Sequence, residues 1–257
     1  MTELTVWFTA LPALLAAAAL TWVVSVARRN VTIVDTLWSL LFVLAAAMYA
    51  WAAAPPTRRA WLVLAMVGAW GLRLAVYLAW RNWGHEEDHR YRAIRLRNEP
   101  NFALKSLWLI FVFQALLAWL ISLPLAGAIS GDAPLGPLDV LGVALWAVGL
   151  FFEAVGDWQL ARFKADPHNA GRVMDRGLWR YTRHPNYFGD FCVWWGLYVV
   201  AASAGAWWSI VGPLVMSFLL LRFSGVTLLE SDIGARRPAY AEYVRRTNTF
   251  FPGPPRP

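Results

Sequence analysis

Residues 177–190 read GLWRYTRHPNYFGD and run directly into the apolar segment FCVWWGLYVVAA at 191–202. Polar side chains at this junction, among them Arg183, Asn186 and Asp190, enter a stretch that is typical of a membrane span. Lipid-exposed structure avoids such groups, so ionisable residues inside a span are candidates for function by default. The junction predicts a membrane protein that binds a polar ligand at the edge of the bilayer.

The composition indicates the same setting. Of the 257 residues, 59% are hydrophobic and only 15% are charged, far from the balance of soluble proteins. Seventeen tryptophans suit the aromatic belts that lie at the two membrane interfaces. The net charge of +7 is interpreted as basic loops facing anionic lipid and an anionic cofactor, not as affinity for nucleic acid. Cys192 is the single cysteine, which excludes a disulfide framework and a thiolate metal site.

Apolar runs of about 20 residues, long enough to cross a bilayer, recur along the whole chain. They predict an all-α, polytopic integral membrane helical bundle of about seven transmembrane helices. The N-terminal run lacks the basic segment of a cleaved signal peptide, so we expect it to be a retained span. The predicted spans are 5–27, 31–53, 60–80, 103–129, 137–161, 187–204 and 206–229.

The distribution of basic residues predicts the orientation. Lys and Arg cluster in the loops near 81–102 and 162–185 and in the C-terminal tail, and are absent from the loops near 130–136 and 204–206. The positive-inside rule places the basic loops and the C-terminus in the cytoplasm, with the N-terminus outside the inner membrane. Arg58 and Arg59 lie on the wrong side for this assignment.

Three polar residues in the second and third spans are candidates for chemistry. Asp35 lies early in the second span, where a carboxyl group is expensive unless it is paired, protonated or hydrated. Arg73 and Tyr77 share a helical face, and a phenol beside a cation can donate a hydrogen bond to a carbonyl. Two of the three also have a structural interpretation: Asp35 as a helix-start residue and Tyr77 as an interfacial aromatic.

The segment 83–92, WGHEEDHRYR, follows the third span. Two histidines among acids suggest a metal, but Gly84 and three consecutive acids favour a loop in which His85 and His89 would not share a face. We therefore predict no metal site. A salt-bridged cytoplasmic cap, or a lid over a cofactor, is the favoured interpretation. The predicted substrate and lid residues are Arg73, Glu87, Asp88, Arg90 and Tyr91.

The stretch from 153 to 190 mixes basic, acidic and amide side chains. Basic groups suit phosphates, carboxylates suit ribose hydroxyls, and asparagine suits an amide, so the mixture favours a dinucleotide. A solvated basic loop is the alternative, but it does not account for Asn186 and Asp190 inside an apolar run.

These motifs resemble a bacterial member of the membrane steroid 5-alpha-reductase family, in the branch labelled as a domain of unknown function (DUF1295). The resemblance covers most of the chain and rests on EDHRY at 87–91, RHPNYFGD at 183–190, and Y-x-x-Y at 240–243 followed by TFFP at 249–252. Sterol C14-reductases and isoprenylcysteine carboxyl methyltransferases carry related C-terminal halves.

The resemblance implies a single membrane domain, 1–257, with a substrate and catalytic half at 1–102 and an NADPH-binding half at 103–257. It implies a lipid substrate that enters from the bilayer, and we expect a monomer. The residues it places at the cofactor, including flanking positions in the loops and the tail, are Asp157, Lys164, Arg172, Tyr181, Arg183, His184, Asn186, Tyr187, Asp190, Glu230, Tyr240 and Tyr243.

By the same resemblance, Asp35 and Tyr77 are the counterparts of an acid and a tyrosine that polarise the substrate carbonyl. The glutamine–glutamate pair of steroid reductases is absent, and an aspartate replaces the glutamate. The implied activity is NADPH-dependent reduction of an enone in a steroid-like or isoprenoid lipid. Two alternatives stay open: an S-adenosylmethionine-dependent membrane methyltransferase, and a non-catalytic lipid-binding protein.

Overall fold

The computed structural model describes residues 2–223 and 240–256 of the chain. Within those ranges the secondary structure is helical and contains no strand, as predicted. The helices, numbered in chain order, are α1 Glu3–Arg28, α2 Ile33–Ala52, α3 Arg58–Asn82, α4 His89–Asn98, α5 Phe102–Ile121, α6 Leu123–Ser130, α7 Pro137–Ala165, α8 Pro185–Ser203, α9 Trp207–Arg222 and α10 Tyr240–Arg246.

Five of these helices, α1, α2, α3, α5 and α7, are long and apolar enough to cross a membrane. They correspond to the first five predicted spans, so the prediction of a polytopic membrane protein is confirmed at that level. Large apolar side chains on them face outward: Leu20 is 70% exposed and Val76 is 69% exposed. Exposed apolar surface of this kind is typical of helices in a membrane.

The sixth and seventh predicted spans correspond to shorter helices. α8 and α9 are helical, but neither is long and apolar enough to count as a span, and residues 224–229 lie outside the described ranges. The predicted fourth span also ends early, because α5 stops at Ile121 and α6 begins at Leu123. Seven spans therefore stays a prediction.

Local sequence explains where several helices begin. The Thr2 hydroxyl accepts a hydrogen bond from the Thr5 N–H (3.2 Å), and Thr57 caps α3 in the same way through the Ala60 N–H (3.2 Å). These side chains satisfy backbone donors that have no partner inside the helix. Asp88 caps α4 through the Arg90 N–H (2.9 Å), and this cap later proves to be part of the candidate site.

The chain divides into two compact units. The first comprises residues 1–136 and 201–212, with α2 and α3 packed against α1, α5 and α6. Trp7 of α1 and Trp119 of α5 stack in this unit with ring centroids 3.8 Å apart, and each indole N–H donates to the other residue's carbonyl (2.9 and 3.0 Å). This reciprocal pair buttresses α1 against α5.

The second unit comprises residues 137–200 and 213–257, and contains the packing of α7 against α8. A Cβ added to Gly149 would lie 2.5 Å from the Gly189 carbonyl oxygen, and one added to Gly142 would lie 2.8 Å from that of Gly196. The two helices therefore run antiparallel with their backbones nearly in contact, which only glycine permits. This register decides which polar residues of α7 and α8 meet.

Candidate functional site

The first polar cluster surrounds Asp35, in the first turn of α2. Its Oδ1 accepts a hydrogen bond from the Tyr91 hydroxyl (2.5 Å), and its Oδ2 accepts one from the Arg90 guanidinium (3.2 Å). Only 14% of the Asp35 side chain is exposed. Both carboxylate oxygens are thus held by residues of α4, and the predicted Asp35 and the predicted 87–91 segment form one site. We call Asp35, Asp88, Arg90, Tyr91 and Gln114 the acid–phenol cluster.

Tyr91 is the centre of this cluster. The side chain of Gln114, on α5, also hydrogen-bonds the Tyr91 hydroxyl. The Gln114 Oε1 is buried and has no hydrogen-bond partner within the described part of the chain, so the amide nitrogen makes this contact. Burial, and then the nearby Asp35 carboxylate, raise the pKa of Tyr91 well above its ordinary value. The phenol therefore keeps its proton at physiological pH.

Arg90 bridges two carboxylates. Besides Asp35, it contacts Asp88 through Nε to Oδ1 (3.0 Å) and through a terminal nitrogen to Oδ2 (3.1 Å). Two-pronged contacts of this kind are among the stronger charge-assisted hydrogen bonds. Because Asp88 also caps α4, the orientation of α4 is coupled to the position of the Asp35 side chain.

The segment before α4 is fastened to the turn between α1 and α2. Glu87 accepts from the Val31 N–H (3.0 Å) and from two nitrogens of Arg95 (2.7 and 2.9 Å). The Asp88 N–H donates to the Thr32 hydroxyl (2.9 Å). The prediction of a salt-bridged cap is confirmed in its geometry, whereas its function as a lid stays a prediction.

Acid is expected to loosen this fastening. Burial of Glu87 opposes ionisation, but the Arg95 hydrogen bond and the Val31 N–H outweigh it, so the pKa of Glu87 lies below its ordinary 4.5. A lowered folded-state pKa contributes stability that is complete above pH 4.5 and is lost as the pH falls through the folded value. Glu87→Gln is therefore expected to lower the melting temperature at neutral pH and to flatten its decline in acid.

Circular dichroism melts between pH 3 and pH 7 would test this expectation. Glu86→Gln is the matched control, because the Glu86 side chain is 89% exposed and its pair with Arg92 is a surface contact of little energetic value. A Glu87→Gln profile that coincides with the wild-type profile would contradict the assignment.

Tyr77 and Arg73 lie on α3, which packs against α2. A Cβ on Gly71 would lie 3.1 Å from the Ser39 carbonyl oxygen, so these two residues mark one level of the α2–α3 contact. Asp35 is one helical turn before Ser39 on α2 and is therefore near the part of α3 that is one turn after Gly71. The Tyr77 ring contacts the Arg81 guanidinium (5.9 Å) and the Trp80 ring (6.1 Å). The sequence-based pairing of Tyr77 with Asp35 stays a prediction, since the phenol that contacts Asp35 is that of Tyr91.

The two histidines of the 83–92 segment have different contacts. His89 is the first residue of α4, with Nδ1 3.4 Å from the Asp88 carboxylate, whereas the His85 N–H donates to the Asn82 carbonyl. Over residues 2–223 and 240–256, no three His, Cys, Asp or Glu side chains are arranged to hold a metal ion.

The second polar cluster lies where α7 meets the start of α8. The glycine contact brings Asp157, 6% exposed, to Asn186, whose Nδ2 lies 3.4 Å from the Asp157 Oδ1. Glu153, 3% exposed, lies one turn earlier on α7, against the backbone of Gly189. We call Glu153, Asp157 and Asn186 the α7–α8 polar cluster. It unites two predicted cofactor residues that are 29 positions apart in sequence.

His184 and Tyr187 flank this cluster. Their rings stack with centroids 5.6 Å apart and planes 7° from parallel. Asp190 follows on the first turns of α8 and is half-buried. Lys164, in the last turn of α7, and Arg172, in the following loop, are exposed cations on the same unit. Glu230, also predicted as a cofactor residue, lies outside the described residues.

Arg183 contacts the C-terminal segment. It is 7% exposed, and its guanidinium donates to the Val244 and Thr247 carbonyls (3.2 and 2.9 Å) and to the Thr249 hydroxyl (2.9 Å). These contacts direct its positive charge into the C-terminal segment. They favour a structural role that holds residues 244–249 against the start of α8.

The tyrosines of the C-terminal motif and of residue 181 take part in the same framework. The Tyr243 hydroxyl donates to the Trp179 carbonyl (2.5 Å), and the Tyr240 ring contacts the Tyr243 ring with centroids 5.6 Å apart. The Tyr181 carbonyl accepts from the Gly253 N–H (3.1 Å), while its side chain is 45% exposed. Of these predicted cofactor residues, only Tyr181 presents an exposed side chain.

Sequence reasoning omitted two residues of these clusters. Glu153 is one helical turn before Asp157, so the two carboxyl groups share one face of an apolar helix. That spacing could have identified Glu153 as a site residue. Gln114 is a single amide in the apolar run WLIFVFQALLAWL, which is a similar signal. Neither spacing indicates that Gln114 would meet Tyr91, because that contact joins two helices.

Comparison with known proteins places the chain in a family. The model of the family described as a protein of unknown function (DUF1295) matches residues 21–247, and the chain belongs to this family. An uncharacterized protein of Schizosaccharomyces pombe is 26% identical over 268 aligned positions, covering 90% of this chain and 75% of the relative. A probable O-methyltransferase of Ustilaginoidea virens is 28% identical over 122 positions, covering 48% of this chain and 38% of the relative. No solved structure matches.

Proposed function

We propose that this member of the DUF1295 family is an integral-membrane, NADPH-dependent reductase of an activated carbon–carbon double bond in a steroid-like or isoprenoid lipid. The observation that carries the proposal is the hydrogen bond from the Tyr91 hydroxyl to Asp35 at the start of a span. The phenol has one proton, which it donates to Asp35 in this structure, so a substrate carbonyl oxygen that gains negative charge would replace Asp35 as the acceptor while Gln114 holds the phenol oxygen. A lipid carbonyl is the acceptor that a bilayer would supply.

The proposed chemistry needs a reductant and a proton donor. NADPH, when bound, supplies a hydride to the β-carbon of an enone. The residues of this chain would stabilise the charge that develops on the carbonyl oxygen and protonate the resulting enolate. Tyr91, with its proton retained at physiological pH, suits the donor role: its hydroxyl would exchange the hydrogen bond to Asp35 for one to the substrate carbonyl, and the Gln114 amide would hold the phenol oxygen. We therefore assign to Tyr91 the role that the sequence assigns to Tyr77.

The α7–α8 polar cluster suits the cofactor. Asp157 offers a carboxylate to a ribose hydroxyl, and Asn186 offers an amide that can donate and accept. Lys164 and Arg172 supply exposed positive charge for phosphates, which the 2′-phosphate of NADPH would use. Arg183 contributes by supporting the loop and not by contacting phosphate.

The protein would sit in the inner membrane with its C-terminus in the cytoplasm, act as a monomer, and take its substrate from the lipid.

A methyltransferase is the second candidate, and one observation favours it. The probable O-methyltransferase of Ustilaginoidea virens is similar to about half of this chain. A carboxylate and an amide also suit the ribose and amino groups of S-adenosylmethionine. However, methyl transfer to an oxygen nucleophile requires no proton donor to a developing enolate, so it leaves the Tyr91 arrangement unexplained.

Ligand-dependent melting separates the two functions. The purified protein in detergent is expected to melt several degrees higher with NADPH, because a ligand at 100 times its Kd stabilises the native state by about 2.7 kcal/mol. S-adenosylmethionine and NADH are expected to give smaller shifts. Asn186→Ala and Asp190→Ala should lose the NADPH shift, whereas Glu86→Gln, remote in sequence and exposed, should retain it. A shift with S-adenosylmethionine and none with NADPH would overturn the reductase proposal.

A further inference from the structure

The short helix α4 divides its arginines between two faces. Arg90 and Arg95 face the protein, with 27% of each side chain exposed, and are neutralised by Asp35, Asp88 and Glu87. Arg92 and Arg97 face outward and are exposed, and Arg92 makes a surface pair with Glu86 (3.0 Å), whose side chain is 89% exposed. The inner face sets two guanidinium groups against three carboxylates and has no excess of positive charge, so the outer face is the one that can attract an anionic partner.

Other cations collect beside this outer face. The Arg95 guanidinium contacts the Arg29 carbonyl at the end of α1 (3.4 Å), and the Lys105 ammonium contacts the Asn98 carbonyl at the end of α4 (2.8 Å). The ends of α1, α3 and α4 and the start of α5 therefore lie at one end of the first unit. Among the described residues there, the exposed acids are Glu86 and Glu99, and the exposed cations are Arg28, Arg29, Arg81, Arg92, Arg97 and Lys105.

Large apolar side chains are exposed among these cations. Trp83 is 77% exposed, Leu96 is 74% exposed and Leu104 is 65% exposed. Leu96 lies between Arg95 and Arg97 on the outer side of α4. A nucleic acid or a soluble anion would not need exposed leucines, whereas the boundary between headgroups and acyl chains accommodates cations beside Trp and Leu.

The opposite end of the same unit has one exposed cation among its described residues, Arg58. Arg59 is 1% exposed and donates to the Ala133 and Pro134 carbonyls (2.6 and 2.9 Å), so it fastens the loop after α6. Arg58 and Asp132, both exposed, line the same cavity at this end. The two arginines that oppose the predicted orientation thus each have a local explanation. Arg59 donates to backbone carbonyls, and Arg58 shares its cavity with the acidic Asp132.

We infer that the outer face of α4, with Arg92, Leu96 and Arg97 at its centre, binds the headgroups of anionic phospholipids in the adjoining leaflet. The inference is independent of the proposed reductase activity. Electrostatic attraction holds the guanidinium groups to phosphate, and Trp83 and Leu104 insert at the acyl boundary. Because the inner face of the same helix carries Tyr91, lipid binding also holds the acid–phenol cluster in place from outside.

The test reconstitutes the full chain in nanodiscs of phosphatidylcholine alone and of phosphatidylcholine mixed with phosphatidylglycerol. The wild type is expected to melt several degrees higher in the mixture, and to retain phosphatidylglycerol preferentially when its bound lipids are measured by native mass spectrometry. Arg92→Gln/Arg97→Gln should reduce this preference roughly ten-fold or more, since each basic residue near an anionic surface contributes about a factor of five.

Arg58→Gln is the matched control at the other end of the unit. It removes a positive charge from the same unit and is expected to leave the phosphatidylglycerol preference unchanged. Melting of the double variant in phosphatidylcholine alone reports whether it folds, and Arg97→Gln alone serves if it does not. Equal wild-type melting in the two lipids would overturn the inference. So would an equal loss in Arg58→Gln, or a stabilisation by inorganic phosphate that matches that by phosphatidylglycerol.

Discussion

Replacing Gly189 by leucine is expected to leave almost no folded protein, and Gly189→Ala to destabilise it by about 3 kcal/mol, the upper part of the usual range for overpacking. A Cβ at this position would lie 2.5 Å from both the Glu153 nitrogen and the Gly149 carbonyl oxygen. These are backbone atoms, so a rotamer change cannot relieve the overlap. α7 and α8 also approach closely at Gly142 and Gly196, so relieving the overlap at Gly189 would require the whole of α8 to shift and would loosen that second contact. Thermal melts and size-exclusion profiles in detergent would measure both variants.

Gly68→Ala is the control for this experiment. Gly68 lies within α3, and a Cβ there would meet no atom within 4 Å. Alanine is the better helix former by about 1 kcal/mol, so this variant is expected to be as stable as the wild type or slightly more so. If Gly189→Ala and Gly68→Ala melted alike, the close approach of α7 and α8 would be wrong. The Asp157–Asn186 contact that depends on this register would then lose its basis.

Replacing Tyr91 by phenylalanine is expected to reduce turnover of an enone lipid by about 10²- to 10⁴-fold, the range for loss of a general acid. The substitution removes the hydroxyl that donates to Asp35 and keeps the buried ring of residue 91. NADPH-induced stabilisation should remain, because the predicted cofactor residues belong to the second unit. The assay follows NADPH oxidation at 340 nm with progesterone, a 4-en-3-one steroid, as the probe.

Tyr77→Phe separates this assignment from the sequence-based one. We expect Tyr77→Phe to retain most of the turnover that Tyr91→Phe loses. A collapse of turnover in Tyr77→Phe with normal turnover in Tyr91→Phe would restore Tyr77 as the donor and refute the role given to Tyr91. Melting temperatures of both variants are needed, since removing a partner of a buried carboxylate costs about 1–3 kcal/mol of stability in its own right.

The contrast between Asp35 and Arg183 illustrates how far sequence reasoning reached. Both are charged residues at apolar segments, and both were predicted to function on that ground. Asp35 meets Tyr91 and Arg90, residues of a motif singled out independently, so the structure unites two predictions. Arg183 instead donates to backbone carbonyls of the C-terminal segment. The cost of burying a charge identifies the residue but not its partner. Every residue has a backbone carbonyl, so the sequence does not indicate which carbonyls will accept a hydrogen bond from a buried arginine.

The spans show a similar division. Hydropathy located α1, α2, α3, α5 and α7, because the length of an apolar run is a local property that the bilayer thickness selects. It did not anticipate the end of α5 at Ile121. The next residue, Ser122, bonds through its hydroxyl to the Tyr49 hydroxyl on α2 (2.6 Å), and this contact depends on a helix distant in sequence.

The sequence by itself determined that this is a helical membrane protein, which residues are too polar for lipid, and where the positive charge lies. Those properties follow from composition and from periodicity along one helix. Only the tertiary structure decided that Tyr91 holds Asp35, that Asp157 meets Asn186, and that Arg90 and Arg97 on one helix have different tasks. Each of these depends on how helices approach one another. In α7 and α8 the approach is set by glycines, and a glycine has no side chain whose polarity or charge could indicate its partner in the sequence.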